Sequence, residues 1–215
     1  MRAYRSEELR FTDAFGRVRG HYTHNGRGLK ELPDSSDVGL LCSYVMANPE
    51  HTQSCLKQAI AKGEDPAVVF MAAGVSGETA MLAWLLQCAG QTEITLLALD
   101  AFRRITGFDA LSAQGLSWKL GHTIKKAGLT ASHQAAQTWF DQHGVSLPKS
   151  NCFLGRNFDR KKLAHVLRHG YQSDREVAAM RSLVDANSQV FPVRSKSSIQ
   201  RTALNQLFPE TSEAL

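Results

Sequence analysis

Long apolar runs are missing from this sequence, and none approaches the length of about 20 residues that a membrane-spanning helix needs. The N-terminal segment carries charges where a secretory signal peptide has an apolar stretch. Only four cysteines occur, and no two of them form a Cys-x-x-Cys pair. A disulfide framework and a zinc site are therefore not expected. We expect a protein of a reducing compartment, the cytoplasm, with no membrane span and no bound metal.

Common catalytic motifs are missing as well. No glycine-rich turn is followed by Gly-Lys-Ser/Thr, so the sequence has no P-loop. The residues Gly-Val-Ser-Gly at 74–77 supply only half of a nucleophile elbow, and no partner acid and histidine are placed for Ser76. The sequence alone leaves open whether the chain is an enzyme.

Charge is distributed unevenly along the chain. The net charge is +5, but residues 1–30 carry +4, residues 31–155 carry −3, residues 156–201 carry +6 and the last fourteen carry −2. Basic flanks around an acidic middle indicate either an anionic partner or a solvent-exposed surface with no binding function. The candidate partner-binding cations are Arg17, Arg19, Arg27, Arg160, Lys161, Lys162 and Arg168.

Helix start and stop signals predict the fold class. Glycines follow apolar segments repeatedly, without a fixed period, from Gly63 to Gly170, and capping residues such as Asp65 and Asp159 lie between them. This pattern predicts a mainly α protein, an irregular multi-helix bundle or helical stack of eight or nine helices. The predicted domains are a basic, partly irregular N-terminal arm over 1–36, a helical core over 37–189, and a C-terminal linker with a short helix over 190–215.

The segment 66–100 supports an alternative, in which the chain is an α/β protein with a Rossmann-like βαβ unit. Val68–Met71 and Ile94–Leu99 would then be strands, joined by a glycine-rich turn and a helix. This pattern resembles the dinucleotide turn of short-chain dehydrogenases and epimerases. The resemblance implies NAD(P) as cofactor, with the residues Gly74, Ser76 and Gly77 at the pyrophosphate and Asp100 on a ribose hydroxyl. The chain has no Tyr-x-x-x-Lys pair.

The same segment also reads as three helices, which we favour. Asp65 followed by Pro66 is a strong helix start, and Ala72 and Ala73 prefer helices to strands. In that case no cofactor is expected.

One further motif concerns an enzymatic alternative. The triplet Gln91-Thr92-Glu93 resembles the Gln-x-Glu motif of ADP-ribosyltransferases, with Arg2 or Arg5 as an early arginine, but the family's Ser-Thr-Ser element is absent. We favour a structural interpretation, in which Glu93 lies in the first turn of a helix, where the macrodipole favours a carboxylate.

The leading functional hypothesis is a soluble binding or adaptor protein that acts through helical surfaces on a protein or an anionic partner. The alternatives are a nucleotide-cofactor enzyme that uses the turn at 74–80, and a nucleic-acid-binding protein that uses the basic flanks.

Overall fold

The computed structural model describes residues 45, 49–91, 93–118, 124–185, 191–193 and 195–209. Within these ranges the chain forms eight α-helices and one two-stranded antiparallel sheet, which confirms the mainly α prediction. The chain divides into two compact units, Met1–Asn157 and Phe158–Leu215. The predicted arm over 1–36 and both predicted domain boundaries lie outside the described residues. None of the helices in the described ranges is long and apolar enough to cross a bilayer.

The first unit contains five of the helices and the sheet. They are α1 (Thr52–Ala61), α2 (Pro66–Ser76), α3 (Leu82–Ala89), α4 (Thr95–Thr106), α5 (Lys126–His143), β1 (Cys152–Phe153) and β2 (Arg156–Asn157). Helix α4 is the centre of the unit, because α2, α3, α5 and β1 all pack against it.

Helix α2 begins where the sequence predicts. The Asp65 carboxylate accepts a hydrogen bond from the Ala67 amide at 2.9 Å, and Pro66 occupies the first helical position. Gly77 ends the helix in the left-handed conformation, with φ of 71°. The βαβ alternative over 66–100 is therefore wrong, because the predicted strands Val68–Met71 and Ile94–Leu99 lie in α2 and, for the most part, in α4.

The β-hairpin caps the C-terminal end of α4. The amides of Leu154 and Gly155 donate to the carbonyl oxygens of Arg104 and Ile105 at 2.7 and 2.9 Å, and the Cys152 thiol donates to the Ile105 carbonyl at 3.2 Å. The last carbonyls of a helix have no partner within it, so these bonds satisfy groups that would otherwise need water.

Glycine is required where the hairpin meets this helix end. Gly155 has φ of 78°, and a Cβ placed there would lie 2.6 Å from the Thr106 carbonyl oxygen. Gly155→Ala should therefore lower the free energy of unfolding by about 2 kcal/mol, from left-handed strain and the clash together. Gly115→Ala is the matched control, since Gly115 has φ of 68° but no atom within 4 Å of a built Cβ. Urea titration should show a larger loss of unfolding free energy for Gly155→Ala than for Gly115→Ala. Equal losses would mean that the hairpin backbone shifts at no cost to accommodate the added Cβ.

The second unit contains α6 (Arg160–His169), α7 (Gln172–Asp185) and α8 (Ser197–Leu207). Asp159 caps α6 as predicted, with its carboxylate accepting from the Lys162 amide at 2.7 Å. Helix α6 packs against both α7 and α8. The core of this unit consists of buried apolar side chains, which are Phe158, Leu163, Val166, Leu167, Val177, Phe191, Leu204 and Phe208.

Candidate partner-binding surface

The residues predicted to bind a dinucleotide have packing roles in the first unit. Gly74 lies buried inside α2, where a Cβ would meet the Ala101 backbone at 3.2 Å and the Arg104 side chain at 3.0 Å. Its lack of a side chain lets α2 and α4 cross closely. The Ser76 hydroxyl donates to the Ala73 carbonyl at 2.7 Å, and Gly77 accepts at its carbonyl from the Cys152 amide at 2.9 Å.

Asp100, the predicted ribose ligand, is held by two buried arginines on its own helix. Its carboxylate accepts from Arg103 at 3.2 Å and from Arg104 at 2.6 Å. The side chains of Arg103 and Arg104 are only 9% and 6% exposed. A buried cation needs a partner, so Asp100 neutralises charge within the fold.

A second carboxylate completes this network. Burial raises the pKa of Asp109. Three hydrogen bonds, from the Ser112 amide, the Ser112 hydroxyl and the Trp118 indole, lower this pKa, as does the Arg103 charge, and together they outweigh the effect of burial. The net pKa of Asp109 is below its ordinary value. Asp109 therefore adds stability at neutral pH, and this is lost as the pH falls through the lowered pKa. The arginines of the acidic middle thus have carboxylate partners within the unit.

The three described thiols of the first unit, Cys55, Cys88 and Cys152, are buried. Burial raises the pKa of Cys55 to about 11 and also raises the pKa of Cys88, although the Lys57 charge opposes the second shift. Both side chains stay protonated at neutral pH and hence are poor nucleophiles. In the ADP-ribosyltransferase-like triplet, Gln91 and Glu93 are exposed. Thr92, Arg2 and Arg5 lie outside the described residues.

The predicted cationic residues divide into two groups. Arg17, Arg19 and Arg27 lie outside the described residues. Arg160, Lys161, Lys162 and Arg168 all lie on α6, with Arg160 and Lys161 exposed and the other two half-buried. Arg160 donates to the Leu207 carbonyl at 2.8 Å and lies over the Phe208 ring. This arginine therefore joins the start of α6 to the end of α8.

At the other end of α6, polar side chains join all three helices. Arg175 of α7 donates to the Leu167 carbonyl at 2.9 Å and also to the side chain of Gln200 in α8. Gln172 and Gln200 both donate to the Val193 carbonyl, at 3.4 and 2.6 Å. The last turn of α6 and the first turns of α7 and α8 therefore meet at this end of the unit.

Large apolar side chains are exposed at that end. Tyr171, just before α7, is 78% exposed, and Ile199, in the first turn of α8, is 51% exposed. Each is adjacent in sequence to a glutamine that reaches Val193. The flanking cations Lys196 and Arg201 are also exposed, and within the described part of the chain neither forms an ion pair. We call these four residues the Tyr171 surface.

Sequence reasoning missed the Tyr171 surface. The sequence did contain a usable signal. Tyr171 and Ile199 are bulky residues near helix starts, and they do not belong to the apolar pattern that forms the buried face of each helix.

The described residues contain no group of three or more histidine, cysteine or carboxylate side chains arranged to hold a metal ion.

Comparison with known proteins gave no match: no protein-family model, no curated protein and no solved structure resembles this chain.

Proposed function

We propose that the chain is a binding or adaptor protein of the cytoplasm whose Phe158–Leu215 unit binds an acidic protein partner at the Tyr171 surface. The observation that carries this proposal is that Tyr171 and Ile199 are exposed, and that the cations Lys196 and Arg201, which flank Ile199 in sequence, are exposed as well. Burying an exposed tyrosine and isoleucine is favourable, and tyrosine is enriched among residues that dominate binding energies. Cys55 and Cys88 form no disulfide within the described part of the chain, which supports a reducing compartment.

The charges indicate an acidic partner. The buried arginines of α4 are neutralised by Asp100, whereas Lys196 and Arg201 have no carboxylate partner in the described part of the chain. Exposed cations steer an oppositely charged surface into contact and raise the association rate. The apolar residues distinguish this surface from one built for phosphate contacts alone, because phosphate contacts need only charge and hydrogen bonds.

We expect an amphipathic acidic peptide, with leucines on one helical face and glutamates on the other, to bind the full-length protein. Tyr171→Ala should weaken this binding by about tenfold, as expected for loss of a residue that dominates an interface. Polyglutamate of equal length and charge should bind more weakly, and Tyr171→Ala should leave its affinity unchanged. Fluorescence anisotropy with labelled peptides measures all four affinities.

A matched pair of charge reversals tests whether position matters. The double variant Lys196→Glu and Arg201→Glu should abolish peptide binding. The double variant Lys149→Glu and Arg156→Glu changes the net charge equally at exposed residues of the other unit and should retain it. If both pairs weaken binding equally, the protein responds only to net charge and the proposal fails. It also fails if duplex DNA binds more tightly than the peptide and Tyr171→Ala has no effect, which supports nucleic-acid binding instead.

A further inference from the structure

We propose that His165 and His169 form a binding site for one divalent transition-metal ion on the exposed face of α6. The two residues are one helical turn apart, both are exposed, and their ring centroids lie 5.1 Å apart with the planes at 50°. Side chains at positions i and i+4 of a helix lie on the same face. Two such imidazoles can direct one nitrogen each to a common ion, since metal–nitrogen bonds are about 2.0–2.1 Å long.

The helix that carries the pair is fixed in place. Leu163, Ala164, Val166 and Leu167 anchor its opposite face in the core, and Asp159 caps its first turn. Arg160 and Arg175 attach its two ends to α8 and α7. The histidines therefore need only side-chain rotation to bind an ion, and little ordering of the backbone opposes binding.

The ligand type determines the class of metal. Neutral imidazole suits Cu²⁺, Ni²⁺ and Zn²⁺, whereas Mg²⁺ and Ca²⁺ prefer oxygen ligands. The affinity of the site for Cu²⁺ should exceed its affinities for Ni²⁺ and Zn²⁺. Within the described part of the chain, no further histidine, cysteine or carboxylate joins the pair as a third ligand.

Neighbouring charge gives the site a distinguishing property. Lys161 is exposed one turn before His165, on the same helix face. A cation there repels a bound metal ion, so Lys161→Gln should tighten Cu²⁺ binding. The same substitution removes positive charge and cannot strengthen binding of an anionic partner, so tighter Cu²⁺ binding would not reflect a general gain in ligand binding.

The test is calorimetric titration of the full-length protein, prepared without a polyhistidine tag, with Cu²⁺, Zn²⁺ and Mg²⁺. His165→Ala and His169→Ala should each weaken Cu²⁺ binding at one site by about tenfold or more, because even loss of an outer-shell partner costs about 10- to 100-fold. His143→Ala is the matched control, as His143 is also exposed near a helix end but has no histidine at i±4. It should leave the titration unchanged, and Mg²⁺ should not bind.

Stability supplies a second readout. A ligand that binds only the folded state raises the melting temperature, so Zn²⁺ should stabilise the wild type and the His143→Ala variant in circular dichroism but not the His165→Ala variant. The proposal is overturned if the double variant of His165 and His169 binds the same number of ions with the same affinity as the wild type. Failure of the wild type to bind Cu²⁺ also overturns it. Neither result affects the peptide experiment, in which the histidines are unchanged and metal is excluded by a chelator.

Discussion

Replacing Phe102 by alanine should lower the free energy of unfolding of the Met1–Asn157 unit by about 3–5 kcal/mol. Phe102 lies on the central helix α4 and is only 1% exposed. The rings of Trp139 and Phe140 from α5 contact it edge-on, with centroid distances of 6.0 and 6.5 Å. Truncation leaves a cavity between these helices that the surrounding side chains can only partly fill, and it removes two favourable aromatic contacts.

Tryptophan fluorescence during urea unfolding is the appropriate measurement. All three tryptophans, Trp84, Trp118 and Trp139, lie in the Met1–Asn157 unit, so their signal reports that unit alone. Phe140→Ala is the control, since Phe140 is half-buried and its truncation should cost less. Equal losses for the two variants would show that Phe102 is not the principal contact between α4 and α5.

Replacing Asp100 by asparagine should have the second-largest effect, a loss of about 3–4 kcal/mol. The substitution keeps the shape of the side chain but removes the charge that neutralises Arg103 and Arg104. The Arg104 guanidinium is also incompletely hydrogen-bonded, because its buried Nε has no hydrogen-bond partner within the described structure. The expected loss of unfolding free energy is smaller than the largest losses for fully buried ion pairs, because the Asp100 side chain is 29% exposed.

A second substitution identifies the origin of that loss. Adding Arg104→Met to Asp100→Asn removes the unpaired buried cation and should recover part of the stability, because apolar residues of similar volume replace buried ion pairs well. Asp141→Asn serves as the control, as Asp141 is exposed and only accepts a hydrogen bond from Gln137. An unchanged urea midpoint for Asp100→Asn would rule out a structural role for this carboxylate.

The helical fold could be predicted from local signals. The caps Asp65 and Asp159 and the helix ends at Gly90 and Gly107 are where the sequence places them. These signals work because they depend on neighbouring backbone groups, which the sequence alone specifies. Gly128 is an exception, since it lies inside α5, where its missing Cβ accommodates Leu116 and Ile124 from outside the helix.

Burial was harder to predict from bulk and apolar character. Bulky residues in strong apolar segments are predicted to be buried, and Leu85 is fully buried, but Trp84, Trp118, Trp139 and Phe140 are half-buried. Trp139 lies between the rings of Phe108 and His143 and so covers the core from outside instead of filling it. Which face of a helix carries the centre of the core depends on its tertiary neighbours.

The candidate site could be predicted only in part. The charge excess of 156–201 overlaps the unit that contains the Tyr171 surface, but the four α6 cations chosen from it are not part of that surface. That surface depends on the meeting of Leu167, Val193 and Gln200 through side-chain hydrogen bonds. Contacts across 25 residues of sequence leave no periodic signal. Likewise, Gly74 lies where α2 crosses α4, and a local turn motif contains no information about this contact with a distant helix.

The hairpin that caps α4 has a consequence for synthesis on the ribosome. Ile105 and the cysteine that bonds to its carbonyl are 47 residues apart. At about 5–20 residues per second, the ribosome makes the hairpin roughly 2–9 s after the end of α4. During this interval the last carbonyls of the helix can bond only to water or to chain already made. The end of the central helix is therefore completed late, after the five described helices of its unit have been translated.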